Sequence, residues 1–148
     1  IVEKAVELGA ARLVPVTTDF TSSDRLRRDK AEAHVREAAE QSGGLSLPEV
    51  ADAAPLRRVL ADWPQDRRIL WADESAGVTS PATVLSDAGG GPWAVLIGPE
   101  GGFSDAERQS LRAAPFVVPI SLGPRILRAE TAAIAALALW QAHLGDWR

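Results

Sequence analysis

The chain has no cysteine, no methionine and only two histidines, His34 and His143, among its 148 residues. Without cysteine there is no disulfide, no thiolate metal site and no cysteine nucleophile, and two histidines are too few for most metal sites. No metal centre is therefore expected. No apolar run approaches the roughly 20 residues a membrane-spanning helix needs, and the start lacks the basic-then-apolar order of a signal peptide. These absences set the expectation of a cytoplasmic protein with no membrane partner. The missing methionine also leaves no start residue, and Ile1 to Gly9 already reads as mid-helix. Ile1, Ala5 and Leu8 share one helical face and Gly9 suits a C-terminal cap, but no Ser, Thr, Asp or Asn precedes them as an N-cap. The expectation is an N-terminally truncated piece.

What is present is ordinary in amount: 46% hydrophobic and 24% charged residues describe one soluble globular domain with a real core. A net charge of -4 and a pI near 5.2 weigh slightly against nucleic-acid binding, since affinity for phosphate backbones comes mainly from Lys and Arg. Local basic clusters remain at Arg25, Arg27, Arg28 and Lys30, at Arg57 and Arg58, at Arg67 and Arg68, and at Arg125 and Arg128. The first three read best as solvated helix faces.

Short apolar runs alternate with helical patterns. Leu13 to Val16 is a strand candidate, and Thr17 to Ser23 is a polar loop leading to a helix from Asp24 to Gln41 that Gly43 and Gly44 end. Leu47 to Val50 reads as a short strand, Leu56, Val59 and Leu60 as a helical turn or two, and Arg68 to Ala72 as a further strand. Ser80-Pro81 has the favoured order of a helix start, and Gly89 to Gly91 stops that segment. Trp93 to Ile97 and Phe116 to Ile120 read as buried strands. Between them, Ser104 with Glu107 forms a capping box opening a helix to Ala113. The last helix runs from Glu130 to Leu144. This alternation implies an α/β fold with a mainly parallel sheet covered on both faces, as one domain over 1–148.

Two glycine-marked turns follow the last two strands: Gly98-Pro99-Glu100-Gly101-Gly102-Phe103-Ser104, and Leu122-Gly123-Pro124-Arg125-Ile126-Leu127-Arg128 running into Ala129-Glu130-Thr131-Ala132. Open α/β sheets bind ligands at these carboxyl ends. The glycines of the first turn remove side chains where a backbone approaches a ligand, although a tight turn alone would also need them. In the second turn, Ile126 and Leu127 suit the faces of an adenine, and an arginine fork suits a phosphate or a base carbonyl. Taken singly, Glu130 reads equally as a first-turn acid favoured by the helix dipole and Arg125 as a surface charge. No Gly-x-Gly-x-x-Gly follows an early strand and no Gly-Lys-Ser/Thr loop occurs, which disfavours dinucleotides and triphosphates.

With these two turns in their order, Leu96 to Ser104 through Glu107 and Ser121 to Ala132, the chain resembles the SPOUT family of S-adenosylmethionine (SAM)-dependent enzymes that methylate N3 of a uridine in 16S ribosomal RNA. Lys4 to Gly9 with Pro15 resembles the opening helix and strand, and Glu37 to Gly43 with Pro48 the central helix end. The resemblance implies an α/β knot, with the C-terminal segment threaded as a trefoil, and a homodimer acting on 16S ribosomal RNA or the small ribosomal subunit. It implies that an RNA-binding barrel precedes this catalytic domain. It implies a SAM pocket lined by Leu70, Trp71, Ala72 and Glu74, by Ile97, Gly98, Pro99, Gly101 and Gly102, and by Ile120, Ser121, Leu122, Gly123, Arg125, Ile126 and Leu127. It implies further that Arg128 stabilises charge on the uracil carbonyls while Glu100 and Glu130 hold the loops or assist proton movement.

The chain departs from that family in two places. Asp19-Phe20-Thr21-Ser22 stands where an acid-Arg-Ser sequence is usual, and Gly44 replaces the arginine after Gln41-Ser42-Gly43. Both changes delete positive charge and bear on RNA choice more than on the cofactor. His34 takes a position often held by a larger aromatic and reads as a solvated helix histidine. A knotted methyltransferase for another RNA, such as tRNA ribose, and a binding module without turnover are the alternatives. A generic metabolite-binding α/β domain requires both turns to be coincidence.

Overall fold

The computed structural model describes residues 1–22, 27–44, 46–75 and 80–147. In chain order the elements are α1 (Val2–Glu7), β1 (Arg12–Leu13), β2 (Val16–Thr17), α2 (Arg28–Ser42), β3 (Glu49–Val50), β4 (Ala54–Pro55) and α3 (Leu56–Ala61). There follow β5 (Arg68–Ala72), α4 (Pro81–Asp87), β6 (Trp93–Leu96), α5 (Asp105–Ala113), β7 (Val117–Ile120) and α6 (Ala129–His143). The helix expected from Asp24 is described from Arg28, and Asp24 and Arg25 lie outside the described residues. Among the described residues no helix is long and apolar enough to cross a membrane.

Every strand pair found is parallel. The order β6-β5-β7 forms a three-stranded sheet, in which Leu70 pairs with Val95 on one side and Val118 on the other. Strand side chains alternate between faces, and here both faces are covered. Ile69 and Trp71 of β5, with Ala94, Leu96 and Val117, pack against Leu56 and Leu60 of α3 and Leu111 of α5. Leu70, with Trp93, Val95 and Ile120, packs against Val84 and Leu85 of α4 and Leu139 and Trp140 of α6. A strand buried on both sides reads as an unbroken apolar run, which is what Arg68 to Ala72 shows after its first residue. Pro119 is tolerated because β7 is an edge of this sheet and a missing N–H on its open side breaks no ladder bond.

The single expected strand from Leu13 to Val16 is instead two, β1 paired with β3 and β2 with β4. Pro15 is the cause, since it has no N–H to donate. The two chain segments nevertheless stay side by side: Ala51 N–H donates to the Leu13 carbonyl at 2.9 Å and Ala54 N–H to the Pro15 carbonyl at 3.2 Å. Against this ribbon, Val6 of α1 meets Ala31, Val35, Ala38 and Ala39 of α2 and Val50 of β3. Gln141 ties the last helix to the first. Its buried amide donates to the Leu8 carbonyl at 2.7 Å and accepts from Asp146 N–H at 3.0 Å.

Candidate active site

At the carboxyl ends of β5, β6 and β7 the connecting loops enclose an open cleft of about 480 Å³, within the roughly 300–1,000 Å³ of small-molecule sites. Ala72, Asp73 and Glu74 come from the end of β5. Ile97, Gly98, Pro99, Glu100, Gly102 and Phe103 come from the β6–α5 turn. Leu122, Gly123, Arg125, Ile126, Leu127 and Arg128 come from the β7–α6 turn, and Ala129 and Ala132 from the start of α6. The two glycine-marked turns thus face one another.

The first turn is shaped by Phe103, whose buried ring lies where a side chain on Gly98 would go: a Cβ there would be 2.8 Å from the ring. The same ring meets Trp71 edge-on at 5.8 Å between centroids, fixing the turn to the core. Gly102 has φ +70°, a backbone conformation that costs side-chain-bearing residues energy. Its N–H donates to the Pro99 carbonyl at 2.8 Å and closes the turn.

Of the expected pocket residues, Ala72, Glu74, Ile97, Gly98, Pro99, Gly102, Leu122, Gly123, Arg125, Ile126 and Leu127 line the cleft, as do Glu100 and Arg128. Leu70, Trp71 and Ile120 do not; all three are fully buried in the two cores that hold the strands. Gly101 turns toward the Thr18–Thr21 loop, where an added Cβ would be 3.0 Å from the Phe20 Cβ. Ser121 lines an adjoining depression with Pro81, Ala135 and Leu139, which shares Leu122 and Gly123 with the cleft. Glu130 stands in the first turn of α6 outside the cleft, its carboxylate 3.5 Å from the amino group of Ile1.

Sequence patterns missed a charged network at the base of the cleft. The Asp73 side chain is fully buried between Arg108 at 2.6 Å and Arg112 at 2.9 Å, and accepts further bonds from the Ser75 N–H and hydroxyl. Burial pushes this carboxyl up, but the bonds from Ser75 and Arg112 and the charge of Arg108 outweigh it. The net result is a carboxyl held below its ordinary range. The one available signal was the spacing of Arg108 and Arg112, four apart on one helix face and aimed at a strand end.

The capping box at Ser104 and Glu107 is present, with Ser104 N–H donating to Glu107 at 2.9 Å. It also receives a distant loop. The Ser104 hydroxyl and the Asp19 carboxylate lie 2.5 Å apart, and Asp19 N–H donates to Glu107 at 2.9 Å. Asp19 and Phe20 sit beside the cleft wall, with Phe20 half exposed.

The RNA methyltransferase domain family matches the chain over residues 1–141. The chain belongs to that family. As an RNA methyltransferase domain it has curated relatives named ribosomal RNA small subunit methyltransferase E. The Bacillus subtilis protein is 34% identical over 149 residues, covering 93% of this chain and 57% of the relative. The Rickettsia conorii protein is 31% identical over 138 residues, covering 93% and 56%. This methyltransferase domain therefore spans just over half the length of those relatives. A ribosomal RNA small subunit methyltransferase E from Neisseria gonorrhoeae, crystallised bound to SAM, has a TM-score of 0.88 at 30% identity over 99% of this chain and 61% of that one. A Legionella pneumophila protein in complex with SAM gives 0.79 at 29% identity, over 95% and 59%.

Proposed function

We propose that this domain methylates N3 of a uridine in 16S ribosomal RNA, using SAM as methyl donor. The observation that carries this reading is the convergence of the two glycine-marked turns on one cleft at the strand ends. The names of the relatives and the SAM-bound neighbour support the substrate and the cofactor.

The residues present fit such a cofactor. A Cβ at Gly123 would meet nothing within 4 Å, so main chain is bare there to a ligand. Ile97, Leu122, Ile126 and Leu127 supply apolar surface for an adenine, and Ile126 is exposed enough to cover one. Backbone groups of Gly98, Pro99 and Gly102 supply donors and acceptors beside it. SAM, when bound, supplies a methyl group already activated by its sulfonium.

The protein's task is then to hold a uracil in line with that methyl and favour loss of the N3 proton. Arg128 faces the cleft from the N-cap of α6. Its guanidinium donates to a uracil carbonyl, where negative charge grows as the proton leaves. Glu100, one of the acidic residues lining the cleft, assists that proton, and Glu130 supports the helix start through the dipole. The family resemblance further supports a trefoil knot in the C-terminal segment, a homodimer, and action on the small ribosomal subunit in the cytoplasm.

Calorimetric titration with S-adenosylhomocysteine, with ATP and NAD as controls, tests the cofactor. Mass spectrometry of 16S RNA from cells lacking and expressing the protein tests the substrate. Selective binding and appearance of N3-methyluridine are the expected results; binding without that nucleoside leaves a module without this activity. Arg128→Ala is expected to fold and bind the cofactor product while losing about 100-fold in methyl transfer, the size of a lost oxyanion donor. An unchanged rate removes the role given to Arg128.

A further inference from the structure

Two of the three cleft walls are joined by a single side chain. Arg108, on α5, is largely buried and reaches both loops at once. Its Nε donates to the Phe103 carbonyl at 3.2 Å, in the β6–α5 turn. Its Nη1 donates to Asp73 at 2.6 Å and to the Ser75 hydroxyl at 3.1 Å, and its Nη2 to Glu74 at 2.8 Å, all just past β5. The Glu74 contact runs directly over Gly102. A Cβ there would stand 3.4 Å from Arg108 Nη2 and 3.5 Å from Glu74 Oε1, so the ion pair occupies the space above that glycine.

We infer that Arg108 is a positioning residue that straps the glycine turn to the end of β5 and so sets the aperture of the cleft. A planar guanidinium with five donors can bind two loops simultaneously, which a lysine ammonium on a flexible stem cannot reproduce. Glu74 then acts mainly through Arg108. Its carboxylate is half exposed, and its arginine partner is anchored beneath by the buried Asp73. The consequence for the ligand rests on the SAM reading above: a turn already held in place needs no ordering on binding, so affinity depends on the strap.

The test uses Arg108→Met and Glu74→Gln, with Arg108→Lys as the conservative variant. Hydrogen exchange of the ligand-free protein reads the strap without any cofactor. Faster exchange in 97–104, the segment closed by the Gly102 N–H, is expected in Arg108→Met and to a smaller degree in Glu74→Gln. For S-adenosylhomocysteine, Arg108→Met is expected to raise Kd about tenfold, which corresponds to about 1.4 kcal/mol. Arg108→Lys is expected to restore only part of it. Combining Arg108→Met with Glu74→Gln should cost no more than Arg108→Met alone.

Additive losses would mean that Glu74 touches the ligand itself, and they overturn the inference. Native exchange and native Kd in a folded Arg108→Met protein overturn it as well. If Arg108→Met does not fold, Glu74→Gln decides, because it leaves the buried Asp73 pairs intact. If the unmodified protein binds no S-adenosylhomocysteine, the SAM reading fails while the exchange data still decide the strap.

Discussion

Asp73 is a fully buried carboxylate whose ionisation is coupled to folding. It faces Arg108 and Arg112 from α5 and Ser75 from its own loop, with Glu74 alongside on the solvent side. Its carboxyl titrates lower in the folded protein than in the unfolded chain, so the folded state binds the proton less readily. The stabilisation is therefore present above the unfolded carboxylate value of about 3.9 and is lost as pH falls below it toward the folded value. The bonds from Ser75 and Arg112 lower the carboxyl most, and the charge of the more deeply buried Arg108 adds to them. Asp73→Asn is expected to cost about 3 kcal/mol at pH 7, because it removes the buried counter-charge of Arg108 and leaves it only the half-exposed Glu74. Urea unfolding at pH 7 and pH 3 checks both points, since the variant should also lose part of the acid sensitivity. Beyond the four-residue spacing of its two arginine partners, nothing in the sequence announced this residue. Asp73 is 35 positions from Arg108 and 39 from Arg112, and such pairs leave no periodic trace.

At the scale of the element, α5 is the helix most fully specified by its own sequence. Its capping box fixes the first turn, Leu111 fills the core, and Arg108 and Arg112 share the face toward Asp73. Ser104→Ala is expected to remove a cap of about 1 kcal/mol and a further bond to Asp19 of similar size. Thr at that position should restore most of the loss; equal unfolding midpoints for the Ala variant and the unmodified protein would refute the latch. The same local rules made β5, β6, β7, α4 and α6 legible in the sequence to within a residue or two, because each has an apolar run or a capping residue of its own. β4 was not legible. Ala54-Pro55 has no strand preference and is placed by pairing with Val16-Thr17, a contact made far along the chain. The Pro15 break was visible as a residue but not as a division, since only the partner strand shows where pairing resumes. Local signals also set the glycine turns but not which side chains they present. Trp71 and Ile120 point into the cores by strand alternation, and Gly101 faces a loop read only as polar.

For the whole molecule, the two apolar clusters on the faces of the three-stranded sheet each give a side chain to the cleft, Phe103 and Leu122, and its ligand should bind the folded state alone. S-adenosylhomocysteine at about 100 times its Kd is then expected to add about 2.7 kcal/mol, a Tm rise of roughly 5–10 °C for a domain of this size. Differential scanning fluorimetry over a range of concentrations checks it, and a Tm independent of concentration contradicts binding at the cleft. The contact between Asp19 and Ser104 has a separate consequence, in the currency of linked equilibria. The loop carrying Phe20 is bonded to the first turn of α5, which is continuous with the glycine turn of the cleft. Where a partner that draws Asp19 away from Ser104 loosens the glycine turn, a cofactor that tightens the turn opposes that partner by the same free energy. The bonds at Ser104 are thus the route by which an occupant at Phe20 and an occupant of the cleft would sense one another.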